Sequence, residues 1–443
     1  MNKKALIILT IILGISRLSY GQKLTVAEVD KKTYDYYLDE NWKELKKLGN
    51  EALKQGIDFF YLRTRLGLAY YNTKQYRKAA IHFRKALSWY PKDDFSLEYL
   101  YYCYLYGGQT ADAYKLIGDM SPKLRNKLVN PTKKLRSMGL YYANLETVNP
   151  DALRFDDLDG TDDVKGEQTI NYALTTPSLS FTWRSYRGYR TLDYSYYSFS
   201  NLIRTQENNE PIEENAVYIK QHVFNYTNVV AANPKLDVIT NFAFIPGSYT
   251  QTTETTISRG RWSTQAAVKR TYLTLNALAS YGLKYKNPYF DLTASVSAQY
   301  LGDEASVQSQ VEPVFYPFSN LNFYLAPGII TKQGTDGFQY LTTAKAGIGL
   351  FNHLWIEGGY WQGSISKFNS DFGTFVFNED ENILDRTFGN VYLVGNNITF
   401  FFSYSYYTKQ RFITSENSSG DEIKTPYNLN SNTFVAGIIL NFK

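Results

Sequence analysis

The sequence predicts a multidomain α plus β chain. An α-helical N-terminal region precedes an antiparallel transmembrane β-barrel of about 14 strands, with roughly 12 to 16 compatible with the pattern. Three observations predict it. Helical spacing of apolar residues gives way, near residue 135, to alternation of apolar and polar residues that runs to the end. Beyond residue 21 no apolar stretch is long enough for a membrane helix, so a crossing would have to be made by a closed barrel. Tyr occurs 40 times in 443 residues, and its amphipathic ring suits surfaces that are part apolar and part wet. The net charge of +5 is modest and dispersed, which gives no reason to expect nucleic acid as a partner.

The first 21 residues read as a cleaved secretory signal. Lys3 and Lys4 form a positive start, Ala5 to Ile15 a short apolar run, and Ser19-Tyr20-Gly21 a small-residue cleavage site before Gln22. Cys103 is the single cysteine, so no internal disulfide is expected despite export.

Residues 22–120 read as helices rich in Leu, Tyr, Ala and Lys. Between Tyr61 and Pro91, the residues Leu66, Gly67, Tyr70, Ala79, Phe83, Ala86 and Pro91 match the tetratricopeptide (TPR) pattern in type and spacing, with Arg63 where that pattern begins with Trp. Gly67 and Ala79 would let two helices approach closely, Leu66, Tyr70 and Phe83 would fill the seam, and Pro91 would end the second helix. Degenerate copies flank this repeat, one with Tyr36, Trp42 and Ala52 and one with Leu100, Tyr104 and Ala113. Residues 121–134 then form a basic linker carrying Lys123, Arg125, Lys127, Lys133 and Lys134, interrupted by Pro122 and Pro131.

From residue 135 to 443 the alternation is regular. Phe290, Leu292, Ala294, Val296, Ala298 and Tyr300 share one face, opposed by Asp291, Thr293, Ser295, Ser297 and Gln299. Leu273 to Tyr285, Leu179 to Trp183, Tyr340 to Leu350 and Ile398 to Tyr406 repeat the scheme. A polar face of Thr, Ser, Asn, Gln and Gly suits a wet lumen rather than a sandwich core. Short connections at Arg187-Gly188, Asn233-Pro234, Asn287-Pro288, Phe318-Ser319-Asn320, Asn352-His353 and Gly395-Asn396-Asn397 should alternate with long loops near 147–167, 204–215, 250–262, 366–382 and 411–429. The final stripe, Phe434 to Phe442, resembles the C-terminal signal read by the barrel assembly machinery, with Phe442 penultimate instead of last.

A signal, the TPR residues from Leu66 to Pro91, and a C-terminal barrel ending at Phe442 together resemble the YaiO-type outer-membrane β-barrel family. The architecture is also similar to the TPR-barrel export porins of exopolysaccharide systems. The resemblance implies the outer membrane of a Gram-negative bacterium, with the N-terminal domain in the periplasm. Implied partners are outer-membrane lipid and lipopolysaccharide, the barrel assembly machinery, and a periplasmic protein held by the TPR region. Export of polysaccharide or another envelope substrate is the implied role.

No catalytic or metal-binding residue stands out, no cofactor is expected, and the chain is not read as an enzyme. His82, His222 and His353 lack metal-ligand spacing and fall in a helix, a strand and a turn. No nucleophile elbow, P-loop or zinc-protease motif is present. An outer-membrane enzyme acting on lipid or glycan, or a structural or adhesive barrel, are the competing readings. Asp156, Asp157, Asp159, Asp162 and Asp163 read as a solvated acidic loop. Alternation places Arg184, Asp193, Asp237, Lys284, Asp291, Lys345 and Glu357 in the lumen, and both signs together suggest a salt-bridged, narrow or plugged interior. Lys284 and Asp291 should face each other across the Asn287-Pro288 turn if that loop has two residues.

Overall fold

The computed structural model describes residues 23–129, 134–148, 163–207, 210–259, 262–351 and 353–442. The expected signal, residues 1–21, and most of the acidic loop lie outside them, as does Lys133. The chain divides into two compact units, one ending at Cys103 and one beginning at Tyr104.

The first unit is built from helices α1 (Val26–Leu38), α2 (Trp42–Lys54), α3 (Phe60–Asn72) and α4 (Tyr76–Leu87), and from the start of α5 (Asp94–Tyr106). Thr25 caps α1 by accepting from the backbone N–H of Glu28, and Asn41 caps α2 through Glu44, so each helix begins where a side chain satisfies an orphan amide. Leu66, Ala79, Phe83 and Ala86 are fully buried between α3 and α4, and Tyr70 nearly so. A Cβ placed on Gly67 would lie 2.8 Å from the Phe83 ring, so this contact admits only glycine unless the ring moves. Pro91 is exposed just beyond α4. Arg63 grips Asp58 at 2.7 and 2.8 Å and reaches the His82 Nδ1 at 3.2 Å, tying α3 to α4 with charge.

The second unit begins with the end of α5, followed by α6 (Thr110–Leu116), a 3-10 turn (Ile117–Asp119) and α7 (Pro122–Leu128). Part of the expected basic linker is thus helical, capped by Ser121, and the compact units divide upstream of residue 120 because α6 belongs with the barrel. Among the described residues sixteen strands follow, of which 14 form one closed antiparallel barrel. They are β1 (Leu135–Thr147), β2 (Asp163–Ser185), β3 (Gly188–Glu207), β4 (Glu213–Asn233), β5 (Leu236–Arg259), β6 (Trp262–Lys286), β7 (Phe290–Leu301), β8 (Glu304–Phe315), β9 (Phe323–Gly334), β10 (Gly337–Phe351), β11 (Leu354–Ile365), β14 (Asn382–Val394), β15 (Ile398–Asn417) and β16 (Glu422–Asn441). β1 closes on β16 from Ser137↔Asn441 to Thr147↔Ser431, and the Phe442 N–H donates to the Arg136 carbonyl at 2.7 Å.

Polarity runs inside out. Leu273, Leu275, Tyr281, Leu292, Phe402 and Phe434 are among the many large apolar side chains that are exposed, while Asn225, Asn241, Ser280, Ser297 and Gln308 are buried on the opposite face. Such an exterior suits hydrocarbon and not water. No described helix is long and apolar enough to cross a membrane.

Short connections fall at 186–187, 234–235, 287–289, 316–322, beside 353 and at 395–397, all at one end. At the other end, the expected loops around 204–215, 250–262 and 411–429 are instead mostly strand. β5 and β6 run to 24 and 25 residues and stay paired out to Arg259↔Trp262. The 250–262 segment is rich in Thr, which favours strands, and in sequence is polar at most positions of both faces, so it carries little alternation signal. The 12-residue strands β7, β8, β9 and β11 form a much lower wall. A strand of that length, tilted about 45°, rises roughly 29 Å, about one hydrocarbon thickness. Past the ends of β1 and β14, β15 pairs directly with β2 from Thr414↔Glu167 to Asn417↔Asp163, drawing the tall extensions together.

Burial holds the His82 imidazole down to about 3, with the Arg63 charge adding to the effect. The helical unit should therefore lose stability as pH falls below about 6.5, because the unfolded chain takes up a proton there that the folded unit refuses, at up to roughly 1.4 kcal/mol per pH unit. Thermal melts followed by helix circular dichroism at two pH values check this. The acid-induced drop should shrink in His82→Gln, and equal drops in both proteins would refute it.

Candidate functional site: a hairpin folded into the lumen

The connection between β11 and β14, residues 366–381, carries Phe368, Phe372, Phe375 and Phe377. So apolar a segment gains by leaving water. It forms a small hairpin, β12 (Phe368–Ser370) with β13 (Phe375–Phe377), that folds into the barrel. Its turn needs three consecutive residues with positive φ, Asp371, Phe372 and Gly373. Phe368 stacks on Phe377 at 4.6 Å and both meet Trp361, joining an apolar cluster with Ile330, Leu341 and Ile383. Val376 packs against a second cluster of Val223, Ile245 and Leu301 on the opposite wall.

Polar wall groups register the hairpin. Gln308 exchanges two hydrogen bonds with the Asn369 backbone, at 2.7 and 3.0 Å. Gln299 accepts from the Asn369 amide at 2.8 Å and donates to the Lys367 carbonyl at 2.9 Å. At the hairpin base Lys409 lies 2.6 Å from Glu381, and Arg411 Nε lies 3.0 Å from the other Glu381 oxygen at an angle unsuited to a hydrogen bond. Asn171 donates to Glu379 from the facing wall. At the tip, Phe372 occupies the space a side chain on Gly282 would take, since a Cβ there would sit 2.5 Å from its ring.

Phe372 also reaches a cluster made of Ala111 on α6 with Val229, Ala231 and Ile239. α6 packs at the short-turn end of the barrel, against β2, β3 and β4. Lys115 donates to the Ala231 and Ala232 carbonyls at 3.1 and 3.2 Å, and Asp112 pairs with Lys286, which also pairs with Asp237. Hairpin and helix thus meet inside the barrel from opposite ends.

Between the hairpin and the wall of β1, β2, β3, β11, β14 and β15 lies a cavity of about 490 Å³. Six carboxylates line it: Asp193, Glu312, Glu357, Asp371, Glu379 and Glu381. Three cations face them: Lys345, Arg386 and Lys409. Lys345 pairs with Glu312 at 3.2 Å. The Arg386 guanidinium lies over Trp361, Phe388 and Tyr407 at 4.4, 4.6 and 5.2 Å and donates to the Ser405 hydroxyl.

The predicted lumen charges therefore separate into two groups. Asp193, Lys345 and Glu357 line the cavity. Asp237, Lys284 and Asp291 belong to the network under α6, and Arg184 sits at the end of β2 beside the 186–187 turn. The expected cross-strand partnership of Lys284 with Asp291 is corrected by register. The connection is 287–289, so Lys286 stands opposite Asp291, and Lys284 reaches it diagonally at 3.2 Å. His222 bonds the Tyr194 hydroxyl at 3.0 Å and His353 the Val394 carbonyl at 2.9 Å. Sequence reasoning missed Glu312, Arg386, Lys409, Arg411 and the inward course of 366–381. The density of Phe in a supposed water-exposed loop was the available signal.

No family model matches the chain, and no curated protein matches it. Among solved structures it is similar to the toluene transporter TodX of Pseudomonas putida, at 9% identity and a TM-score of 0.43, covering 76% of this chain and 93% of that one. It is also similar to a FadL homologue of Pseudomonas aeruginosa, at 8% identity and a TM-score of 0.41, covering 76% and 94%. The likeness is to their barrels and says nothing of a ligand.

Replacing Gly282 with Leu should push Phe372 off its seat and loosen the hairpin while the barrel stays closed. Limited chymotrypsin digestion of the folded protein checks this. The variant should be cut within 366–381 at least about tenfold faster than the parent, as expected when local opening costs some 1.4 kcal/mol less. Equal resistance would show that Phe372 does not hold the hairpin in place.

Proposed function

We propose that this chain is an outer-membrane β-barrel of a Gram-negative bacterium that passes small molecules through a lumen gated by the 366–381 hairpin. In this reading the short turns, α6 and the N-terminal helical unit face the periplasm, and the tall β2–β6 and β15–β16 extensions face outward, against lipopolysaccharide. The alternation ending at Phe442 serves recognition by the barrel assembly machinery.

The observation that carries the proposal is the hairpin itself. It fills the barrel without obliterating it, leaving a cavity of about 490 Å³, within the usual range for a small-ligand site. It is held by apolar contacts of Phe368, Phe372, Val376 and Phe377 together with a few hydrogen bonds and an ionic latch, the latter groups that water can also satisfy; withdrawal as one local unit is the motion the proposal requires. Passage of a compact solute suits this lumen better than the polymer export that the architecture first suggested.

For the helical unit, the seam of Leu66, Gly67, Tyr70, Ala79, Phe83 and Ala86 supports a TPR-type reading, with Arg63 serving charge pairing where the pattern has Trp. TPR surfaces bind peptides and proteins, so a periplasmic protein partner is proposed for it. The role proposed for the whole chain is binding and passage, not catalysis.

Planar-bilayer recording tests the gate. The parent protein should be closed for most of the record. A variant in which a short Gly-Ser linker replaces residues 368–377 should show steady conductance. A replacement variant that is folded yet conducts no more than the parent would sink the passage reading. For the scaffold, the full chain should retain an envelope protein on affinity capture that a chain lacking residues 24–103 loses. Identical recovery from both would count against it.

A further inference from the structure

We infer that the lumen cavity is a binding site for a small organic cation with an apolar body, an arylalkylammonium in chemical class. The inference rests on the passage reading above and names what would pass.

Charge balance is the first ground. Lys345 and Lys409 are each committed to a carboxylate, Glu312 and Glu381. Asp193, Glu357 and Asp371 have no ion-pair partner within 4.0 Å among the described residues. Asp193 accepts from neutral groups, the Asn225 amide at 3.1 Å and Ser180, and Glu357 from Asn390 at 2.8 Å and the Tyr324 hydroxyl. Lys345 and Arg386 stand within electrostatic reach of Asp371 and Glu357, yet six carboxylates against three lining cations leave negative charge in excess, and such an excess in an enclosed, poorly solvated space attracts cations strongly.

The second ground is the wall between those carboxylates. Tyr392 and Phe401 have ring centroids 4.9 Å apart, and Tyr141 follows at 6.1 Å from Phe401. The three rings are tilted or edge-on to one another rather than stacked, and aromatic rings beside carboxylates suit an ammonium attached to an apolar group. The lumen already holds one cation this way, since Arg386 rests on three rings with no carboxylate within ion-pair distance among the described residues.

The third ground is independent of charge. Ser370 and Thr176 are lining residues of the same cavity, 2% and 5% exposed, and their buried hydroxyls have no hydrogen-bond partner among the described residues. Buried polar atoms are seldom left unsatisfied, and these two can accept from a ligand N–H. Ser370 adjoins Asp371 on the hairpin, so a cation held there would touch the gate as well as the wall.

Equilibrium binding to the detergent-solubilised full chain tests this, using phenethylammonium, phenethyl alcohol and phenylpropionate at one ionic strength. The ammonium should bind about tenfold more tightly than the alcohol, with the anion weakest. Glu357→Gln and Asp371→Asn should each weaken the ammonium about three- to tenfold and leave the alcohol unchanged. Each variant is first checked for the heat-modifiable gel mobility of a closed barrel, and the two variants report separately. Preference for the neutral or anionic probe, or indifference to both substitutions, would overturn the inference. Binding without uptake into proteoliposomes would end the passage reading and leave the site standing. Uptake with no preference for the ammonium would do the reverse.

Discussion

In hydrocarbon a backbone N–H or C=O has no water to turn to, so every one must find a partner within the protein. The pairing of β1 with β16 answers that constraint, because it removes the two free edges that 14 strands would otherwise present. Alternation follows from closure. Once the sheet is a tube, each strand shows one face to lipid and one to the lumen, and the apolar residues must take the outer face. The same rule limits the short wall, where β7, β8, β9 and β11 are 12 residues long, close to the minimum that crosses.

A polar lumen creates a second problem. Charges brought inside must be paired or hydrated, since unpaired buried charge is costly. The barrel resolves it differently at its two ends. At the short-turn end, α6 supplies Asp112 to Lys286 and seals the network that also holds Asp237. At the other end the hairpin supplies Glu381 to Lys409 and Arg411. What lies between is left short of positive charge, which is the physical basis for assigning the cavity to a cation. Plug and site are thus two aspects of one accounting of lumen charge.

The barrel was legible in the sequence because lipid and lumen impose opposite demands on neighbouring residues, as in Leu292, Thr293 and Ala294. Legibility failed where that contrast ends. Toward Arg259 and Trp262 the sequence of β5 and β6 is polar at most positions of both faces, so Thr-rich strand there looks like loop. The hairpin was hidden for another reason. Its inward course is decided by Gln299 and Gln308, residues more than fifty positions away, and by the seat at Gly282. Three of the lumen charges that line the cavity, Asp193, Lys345 and Glu357, could be named from alternation alone. Their partners could not, because register depends on loop length, as the shift from Lys284 to Lys286 opposite Asp291 shows. Lys286 and Asp112 are joined only by the packing of a helix on the barrel end.

The account stands on residues 366–381 lying inside the tube rather than in solvent above it. Hydrogen–deuterium exchange of the purified full chain measures this directly. Amides of Phe368 to Phe377 should exchange on the slow timescale of the neighbouring strands β7 and β8, whose Gln299 and Gln308 hold them. Exchange of that segment within seconds, as fast as an open surface loop, would contradict the account at its centre.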